Sequence, residues 1–367
     1  MTLDSQIIIG DCRTLLSSLE EKSIQSCITS PPYWGLRDYG TATWKGGSGD
    51  CDHLSDRSTY EKNYANSKQA SNKGTGNRDI IPHGICPKCG AIREDDQLGL
   101  ESSPQKYVAS MVDVFRAVKR VLKDDGTLWL NLGDSYCGTG HKGDHKDPKH
   151  KEGRNSQAHA INNKVEGLKS KDLVGIPWRV AFALQADGWY LRQDIIWNKP
   201  NPMPESVTDR CTKAHEYIFL MSKSKNYFCN MEAIREPIKP GTTGQTSVRE
   251  SGDSRTRNKK HWGIPHEPKN VIRQYQEIKG ANKRAVWTVN TRPFKGAHFA
   301  TFPKKLITPC VLAGSEKGDT ILDPFTGSGT TGLVSVENGR HFLGVELNPK
   351  YKKIAEQRIN TAQPFLL

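Results

Sequence analysis

Apolar residues recur along the chain with two periods, and the switching between them outlines a mixed α/β protein. "SQIIIGD" (5–11) has the pattern of a short strand, "CRTLLSSLEEK" (12–22) of a short helix, and "SCITSPP" (26–32) of a second strand. "SPQKYVASMVDVFRAVKRVLKDDG" (103–126) spaces Val108, Met111, Val112, Phe115, Val118, Val121 and Leu122 along one helical stripe. A Ser-Pro cap opens that helix and Gly126 is expected to stop it. "TLWLNLGD" (127–134) then reads as a buried strand. "IPWRVAFALQADGWYLRQDIIWNKP" (176–200) returns to helix and strand, and "HEYIFLMSKSKNYF" (215–228) predicts a β-hairpin. The cleanest stretch comes last: helix "FPKKLITPCVLAGS", strand "DTILDPF", a glycine loop, helix "TTGLVSVENG", strand "HFLGVELN", helix "PKYKKIAEQRI". Helices feeding strands in this way predict a Rossmann-like α/β sheet.

Three intervals break the pattern. Residues 41–97 are polar and rich in Gly, Asn, Ser and Lys, as expected of an insertion. Residues 138–171 and 237–284 are basic and turn-rich. Over its 367 residues the chain carries a formal net charge of +13, which points to a polyanionic partner, most often nucleic acid. No apolar run approaches the ~18 residues of a membrane span, and the N-terminus lacks a secretory pattern. Nine cysteines are an odd count and too sparse for a disulfide scaffold, so a reducing, cytoplasmic setting is expected.

Two segments carry chemistry. "TSPPYWG" (29–35) ends a strand on two prolines, neither of which can donate to a sheet ladder. The result is a rigid turn that presents Ser30, Tyr33 and Trp34 at the sheet edge where α/β proteins bind ligands. "DTILDPFTGSGTTG" (319–332) places Gly327, Gly329 and Gly332 between a strand and a helix, with Glu346 ending the next strand. Such glycines let backbone approach a ligand, and the acidic strand end suits ribose hydroxyls. A dinucleotide and S-adenosylmethionine both fit this outline. The acidic "DPF" (Asp323, Pro324, Phe325) ahead of the glycines repels a pyrophosphate and favours the cationic S-adenosylmethionine.

Within the polar insertion stand Cys51-x-His53 and "CPKCG", with Cys86 and Cys89. A Cys-x-x-Cys followed by Gly is a common half of a zinc ribbon, and Cys51 and His53 are expected to supply the remaining ligands of a structural zinc site. His83 is the alternative fourth ligand.

Taken together, these segments resemble the prokaryotic amino-group DNA methyltransferases that act on N4 of cytosine or N6 of adenine, in the β-group order with the catalytic motif ahead of the cofactor motifs. Ser30-Pro31-Pro32-Tyr33 matches the catalytic motif, "DPFTGSGTT" the cofactor loop and "GVELNP" the acidic strand end. "FKGAHFATFPKKLI" matches the methionine-side cofactor segment; "NLGDSY", "KPNPMPES" and "HEYIFLMSK" are also family-like. The resemblance implies an S-adenosylmethionine-dependent methyltransferase sheet with a target-recognition region, and the Cys/His spacing adds a zinc-ribbon-like insertion. It implies a catalytic part at 1–40 and 98–236, target recognition at 237–284 and a cofactor-binding part at 285–367, around the zinc-binding insertion expected at 41–97.

By the same resemblance Ser30, Pro31, Pro32 and Tyr33 are the catalytic residues. Asp11, Thr301, Phe302, Asp323, Pro324, Phe325, Gly327, Gly329, Thr330 and Glu346 are cofactor contacts; Asp11 has a second reading as a helix cap. Serine at the first motif position favours cytosine N4, with adenine N6 as the alternative. Double-stranded DNA is the implied partner. Whether a cognate restriction endonuclease accompanies the chain, and whether it is a monomer or homodimer, stays open. Competing readings are a nucleotide-dependent oxidoreductase, a non-catalytic zinc DNA-binding protein and an RNA methyltransferase.

Overall fold

The computed structural model describes residues 4–35, 41, 43–51, 53, 85, 86, 88–138, 167–237, 280–292 and 301–362. Its strands are β1 (Ser5–Ile9), β2 (Ile24–Thr29), β3 (Thr43–Lys45), β4 (Ile92–Glu94), β5 (Leu122–Leu132), β6 (Tyr190–Asn198), β7 (His215–Ser222), β8 (Val286–Thr288), β9 (Thr320–Asp323) and β10 (His341–Glu346). The α-helices are α1 (Cys12–Ser18), α2 (Pro104–Val121), α3 (Ile176–Ala186), α4 (Lys304–Gly314), α5 (Thr330–Glu337) and α6 (Pro349–Asn360).

Eight strands form one sheet in the order β1-β10-β9-β2-β5-β7-β6-β8, and β3 pairs with β4 in a separate two-stranded sheet. β7 runs antiparallel to both of its neighbours, β5 and β6, whereas the other pairings in the large sheet are parallel. Parallel strands covered on both faces are buried along their length. Accordingly every residue of β2 is buried, as are the last seven of β5.

Alternation along these strands divides the core. Cys27, Leu128, Leu130, Phe219 and Met221 pack on one face with Leu16 of α1, Met111 and Phe115 of α2, and Val180 and Leu184 of α3. Their neighbours Ile28, Trp129, Ile218 and Leu220 face the other way, against Leu306, Ile307 and Val311 of α4 and Val334 of α5. Ile7, Phe342, Ala355 and Ile359 close the β1 edge under α6.

Two expectations need correction. The segment 215–228 is no hairpin: it supplies the single strand β7, which pairs on both sides, with β5 and β6, and so has no free edge for a returning partner. The long helix α2 ends at Val121, ahead of Gly126, because Leu122 already pairs with Ile24 of β2. Its opening is as expected, with the Ser103 hydroxyl accepting from the Lys106 backbone N–H. The basic segments 138–171 and 237–284 fall largely outside the described residues. Among the described residues no helix is long and apolar enough to cross a membrane.

Candidate active site

β2 and β9 lie side by side, yet the chain leaves them in opposite directions, toward β5 and toward β10. That reversal opens a crevice at the carboxyl ends of the strands. "SPPY" follows β2 and "DPFTGSG" follows β9, so both motifs emerge into it. A side-chain bond joins them: the Thr29 hydroxyl donates to Asp323 Oδ1 at 2.6 Å.

The turn Ser30–Tyr33 is held from several sides. The Tyr107 hydroxyl donates to the carbonyl of Pro32 at 2.9 Å. Trp34 is buried, and its indole N–H donates to the carbonyl of Glu101 at 2.9 Å; it anchors the turn to the core and does not line the mouth of the sheet. Tyr33 points its hydroxyl into a polar cluster, 2.7 Å from Glu216 Oε2 and 3.1 Å from Asn131 Oδ1, while the Ser30 hydroxyl donates to it at 3.3 Å. Glu216 also accepts from Asn131 Nδ2 at 3.2 Å and is ion-paired with Lys199. Burial, reinforced by the Glu216 charge, pushes the Tyr33 phenol well above its ordinary range, so it stays a neutral donor. The backbone of Gly133 lies against the ring: a Cβ there would be 2.5 Å from Tyr33 Cε2.

The three glycines of the second motif do different work. Gly329 has φ +76°, and a Cβ would stand 2.7 Å from the Ala355 Cβ on α6. Gly332 is pressed by Ile359 and Phe342. These two permit helix packing. Gly327 alone of the three, at φ +52°, faces open space, with no atom nearer than 3.8 Å to an added Cβ. Its N–H donates to Glu346 Oε2 at 2.7 Å, and the Asn348 N–H donates to Oε1 at 2.8 Å. Burial, with the charge of Asp323 adding to it, pushes the Glu346 carboxyl up to about 7.

Asp323 is almost fully buried. It accepts from Thr29, from Thr331 at 2.7 Å and from the Phe325 N–H at 3.0 Å, and burial pushes it up to about 6. The donors to Asp323 and Glu346 named here are all neutral N–H and hydroxyl groups.

The remaining expected cofactor residues sit as follows. Pro324 is buried, and the half-exposed Phe325 follows it in the turn between β9 and α5. Thr330 is buried and accepts from Arg358 at 3.2 Å. Asp11 caps α1, accepting from the Arg13 N–H at 2.8 Å, and pairs with the Arg13 guanidinium. Thr301 and Phe302 are half-buried just ahead of α4, with Phe302 packed on the second core.

Residues 24–357 match the N6/N4 family of DNA methylases. The chain belongs to that family. This methyltransferase is 40% identical over 355 residues to the type II methyltransferase M.Cfr9I of Citrobacter freundii, across 95% of its own length and 86% of the relative's. It is 41% identical over 354 residues to M.SmaI of Serratia marcescens, with 96% and 90% covered. Among solved structures the PvuII DNA methyltransferase, a cytosine-N4-specific enzyme, superposes with a TM-score of 0.52 at 16% identity, covering 99% of this chain and 95% of that one. That likeness concerns the fold.

Several site residues of the methyltransferase were not singled out from the sequence. Asn131 of β5 and Glu216 of β7 gather around Tyr33 with Gly133 and Lys199, which lie just past the ends of β5 and β6, and Arg358 pins the glycine loop by donating to the carbonyl of Ser328 at 2.6 Å. One signal was there to be read: Glu216 is a lone charge opening an otherwise apolar strand, and such a charge needs a partner. Asp134 has a structural task, accepting from the N–H groups of Gly175 and Ile176, each at 3.0 Å, at the start of α3. In the insertion, one ligand atom each from Cys51, His53, Cys86 and Cys89 converge within 4.8 Å of one another, whereas His83 lies outside the described residues.

Proposed function

We propose that the methyltransferase transfers a methyl group from S-adenosylmethionine to the exocyclic N4 of cytosine in duplex DNA, on a base taken out of the stack. The observation that carries this is Ser30 at the end of β2, its hydroxyl 3.3 Å from that of Tyr33. Serine at this motif position resembles the cytosine-N4 members of the family; adenine-N6 members have Asp or Asn there.

The chemistry follows from the target. An exocyclic amine is a weak nucleophile because its lone pair is delocalised into the ring. The Ser30 hydroxyl and the Pro31 carbonyl accept its two hydrogens, which orients the nitrogen and favours sp³ geometry. The Tyr33 ring, fixed by its hydroxyl bonds and by Gly133, offers a face on which the extruded base stacks. No covalent bond to the protein is needed.

The crevice suits the cofactor. When bound, S-adenosylmethionine supplies an electrophilic methyl group on a sulfonium. Gly327 leaves room beside the glycine loop, Glu346 accepts from ribose hydroxyls, and Phe325 lies at the turn beside them. A cation bound beside Asp323 and Glu346 draws both acids toward their ionised form, whereas a pyrophosphate there would be repelled, and this separates the reading from a dinucleotide enzyme. Asp11, Thr301, Phe302 and Pro324 are assigned to the same site by family resemblance, while Gly329 and Thr330 support the loop from behind. The net charge of +13 favours DNA, with segments 138–171 and 237–284 assigned to contact it. Relatives named type II methyltransferases favour a role beside a restriction endonuclease.

Mass spectrometry of nucleosides from DNA methylated by the purified protein tests the reading. N4-methylcytosine is expected. N6-methyladenine would transfer the proposal to the adenine alternative, and unmethylated DNA would overturn it.

A further inference from the structure

We infer that Cys51, His53, Cys86 and Cys89 hold a zinc ion whose task is structural: it braces the chain that leaves the catalytic turn. The inference stands apart from the choice of target base.

The distances fit a tetrahedral site. Zinc bonded to sulfur at ~2.3 Å and to nitrogen at ~2.0–2.1 Å sets two sulfurs ~3.8 Å apart and a sulfur and a nitrogen ~3.6 Å apart. Cys51 Sγ and Cys86 Sγ are 3.8 Å apart, and Cys89 Sγ is 3.5 Å from His53 Nδ1. The backbone is shaped around these atoms. Gly90, at φ +74°, turns the chain after Cys89, and its N–H donates to the carbonyl of Cys86 at 2.8 Å. Gly47 passes so close that a Cβ would meet Cys89 Sγ at 2.7 Å. His53 adopts φ +50°, unusual for a residue with a side chain, and its ring stacks on Trp44 with centroids 4.5 Å apart. Three thiolates and an imidazole match the ligand preference of zinc. With all four positions filled by protein, no place remains for an activated water.

The segment has little else to hold it. β3 and β4 are three residues each, and an isolated two-stranded hairpin is marginal in water. Among the described residues of 41–97 the buried apolar side chains are those of Cys86 and Ala91. A metal cross-link supplies what a core cannot.

The braced segment touches the catalytic turn. The Gly35 N–H donates to the carbonyl of Gly99 at 2.8 Å, and Thr41 donates to Asp95 at 2.9 Å. Gly99, at φ +93°, lies so near that a Cβ would be 3.1 Å from the Tyr33 carbonyl oxygen and 3.2 Å from the Pro32 Cβ. Gly35 and Gly99, which flank this segment in the sequence, are therefore joined beside Pro32 and Tyr33.

Elemental analysis of full-length protein purified without added metal should give one equivalent of zinc. Exchange with cobalt(II) should give the intense visible bands of a tetrahedral thiolate site. His53→Cys should keep the ion as a four-cysteine site. Cys86→Ser with Cys89→Ser should lose it, lower Tm and slow methylation by an order of magnitude, with affinity for S-adenosylmethionine unchanged. Should that double variant fail to fold, zinc content and the cobalt spectrum of the unaltered protein decide the site, and Tm and turnover of His53→Ala decide the brace. Folded, active protein with less than about a tenth of an equivalent of zinc would overturn the site. Full zinc in the unaltered protein, with wild-type turnover and Tm in a variant that has lost it, would overturn the bracing role.

Discussion

Gly133→Ala tests how Tyr33 is held. The new Cβ would lie 2.5 Å from Cε2 of the ring, 3.0 Å from Cδ2 and 3.3 Å from Cζ. Carbon atoms in ordinary contact sit ~3.5–4.0 Å apart, so the ring has to retreat by about 1 Å. Its freedom to do so is small. Tyr107 fixes the carbonyl of Pro32, and the ring's own hydroxyl is bonded toward Glu216 and Asn131. Overpacking of this kind costs about 1–3 kcal/mol, which a folded domain with ~5–15 kcal/mol of stability survives. Turnover is more sensitive, because a ~1 Å misplacement near reacting groups costs roughly 100-fold. The cofactor crevice is spared, since β2 separates β5 from β9. The expected result is an affinity for S-adenosylmethionine within about twofold of wild type, a Tm lower by a few degrees and single-turnover methylation of duplex DNA roughly 100-fold slower. Wild-type single-turnover rates in a stably folded Gly133→Ala protein would refute the idea that Tyr33 must be held in place.

Ser30→Ala should abolish most methylation while calorimetric affinity for S-adenosylmethionine is retained; near-wild-type turnover would remove Ser30 from catalysis. Glu346 and Asp323 are acids whose folded values, about 7 and about 6, lie above their ordinary ones, so the folded protein keeps protons that the unfolded chain has released. Their contribution to stability is therefore complete at acid pH and is lost as pH rises through about 7. Tm of the cofactor-free protein should fall over that interval, and Glu346→Gln should flatten the fall; an identical slope in the variant would count against it. DNA affinity should drop by orders of magnitude between about 50 and 200 mM salt, as measured by fluorescence anisotropy, whereas a flat response would exclude phosphate contacts as its main source.

The segments legible from the sequence were those whose partners are near in the chain. From Thr320 to Asn360, strand, glycine loop, helix, strand and helix follow one another with short connections, and the periodicity placed each within a few residues. Long-range pairing was illegible. Residues 215–228 looked like a hairpin because a turn follows an apolar run, but β7's partners are β5 and β6. Gly126 looked like a helix stop because glycine often is one, yet pairing of Leu122 with Ile24 ends the helix earlier. In the site, residue types were readable while their division of labour was not. Asp323 reads in the sequence as an acceptor for a cationic group, and the structure adds that Thr29 and Thr331 hold its oxygens, residues a linear pattern does not bring to mind. Equally, three glycines in one motif look alike until Ala355 and Ile359 are seen pressing on two of them.

The bond between Thr29 and Asp323 also bears on how the protein is made, because 294 positions of chain separate its ends. During synthesis β2 can pair with β5 early, but its other edge stays bare until β9 leaves the ribosome. At roughly 5–20 residues per second that wait lasts about 15–60 s. Throughout it, a strand whose every residue is destined for the interior presents unpaired backbone groups to the cytosol. Yield of folded protein should accordingly depend on growth temperature and chaperone supply. A nascent chain arrested before residue 320 should remain protease-sensitive and bind holdases, however complete its catalytic motif.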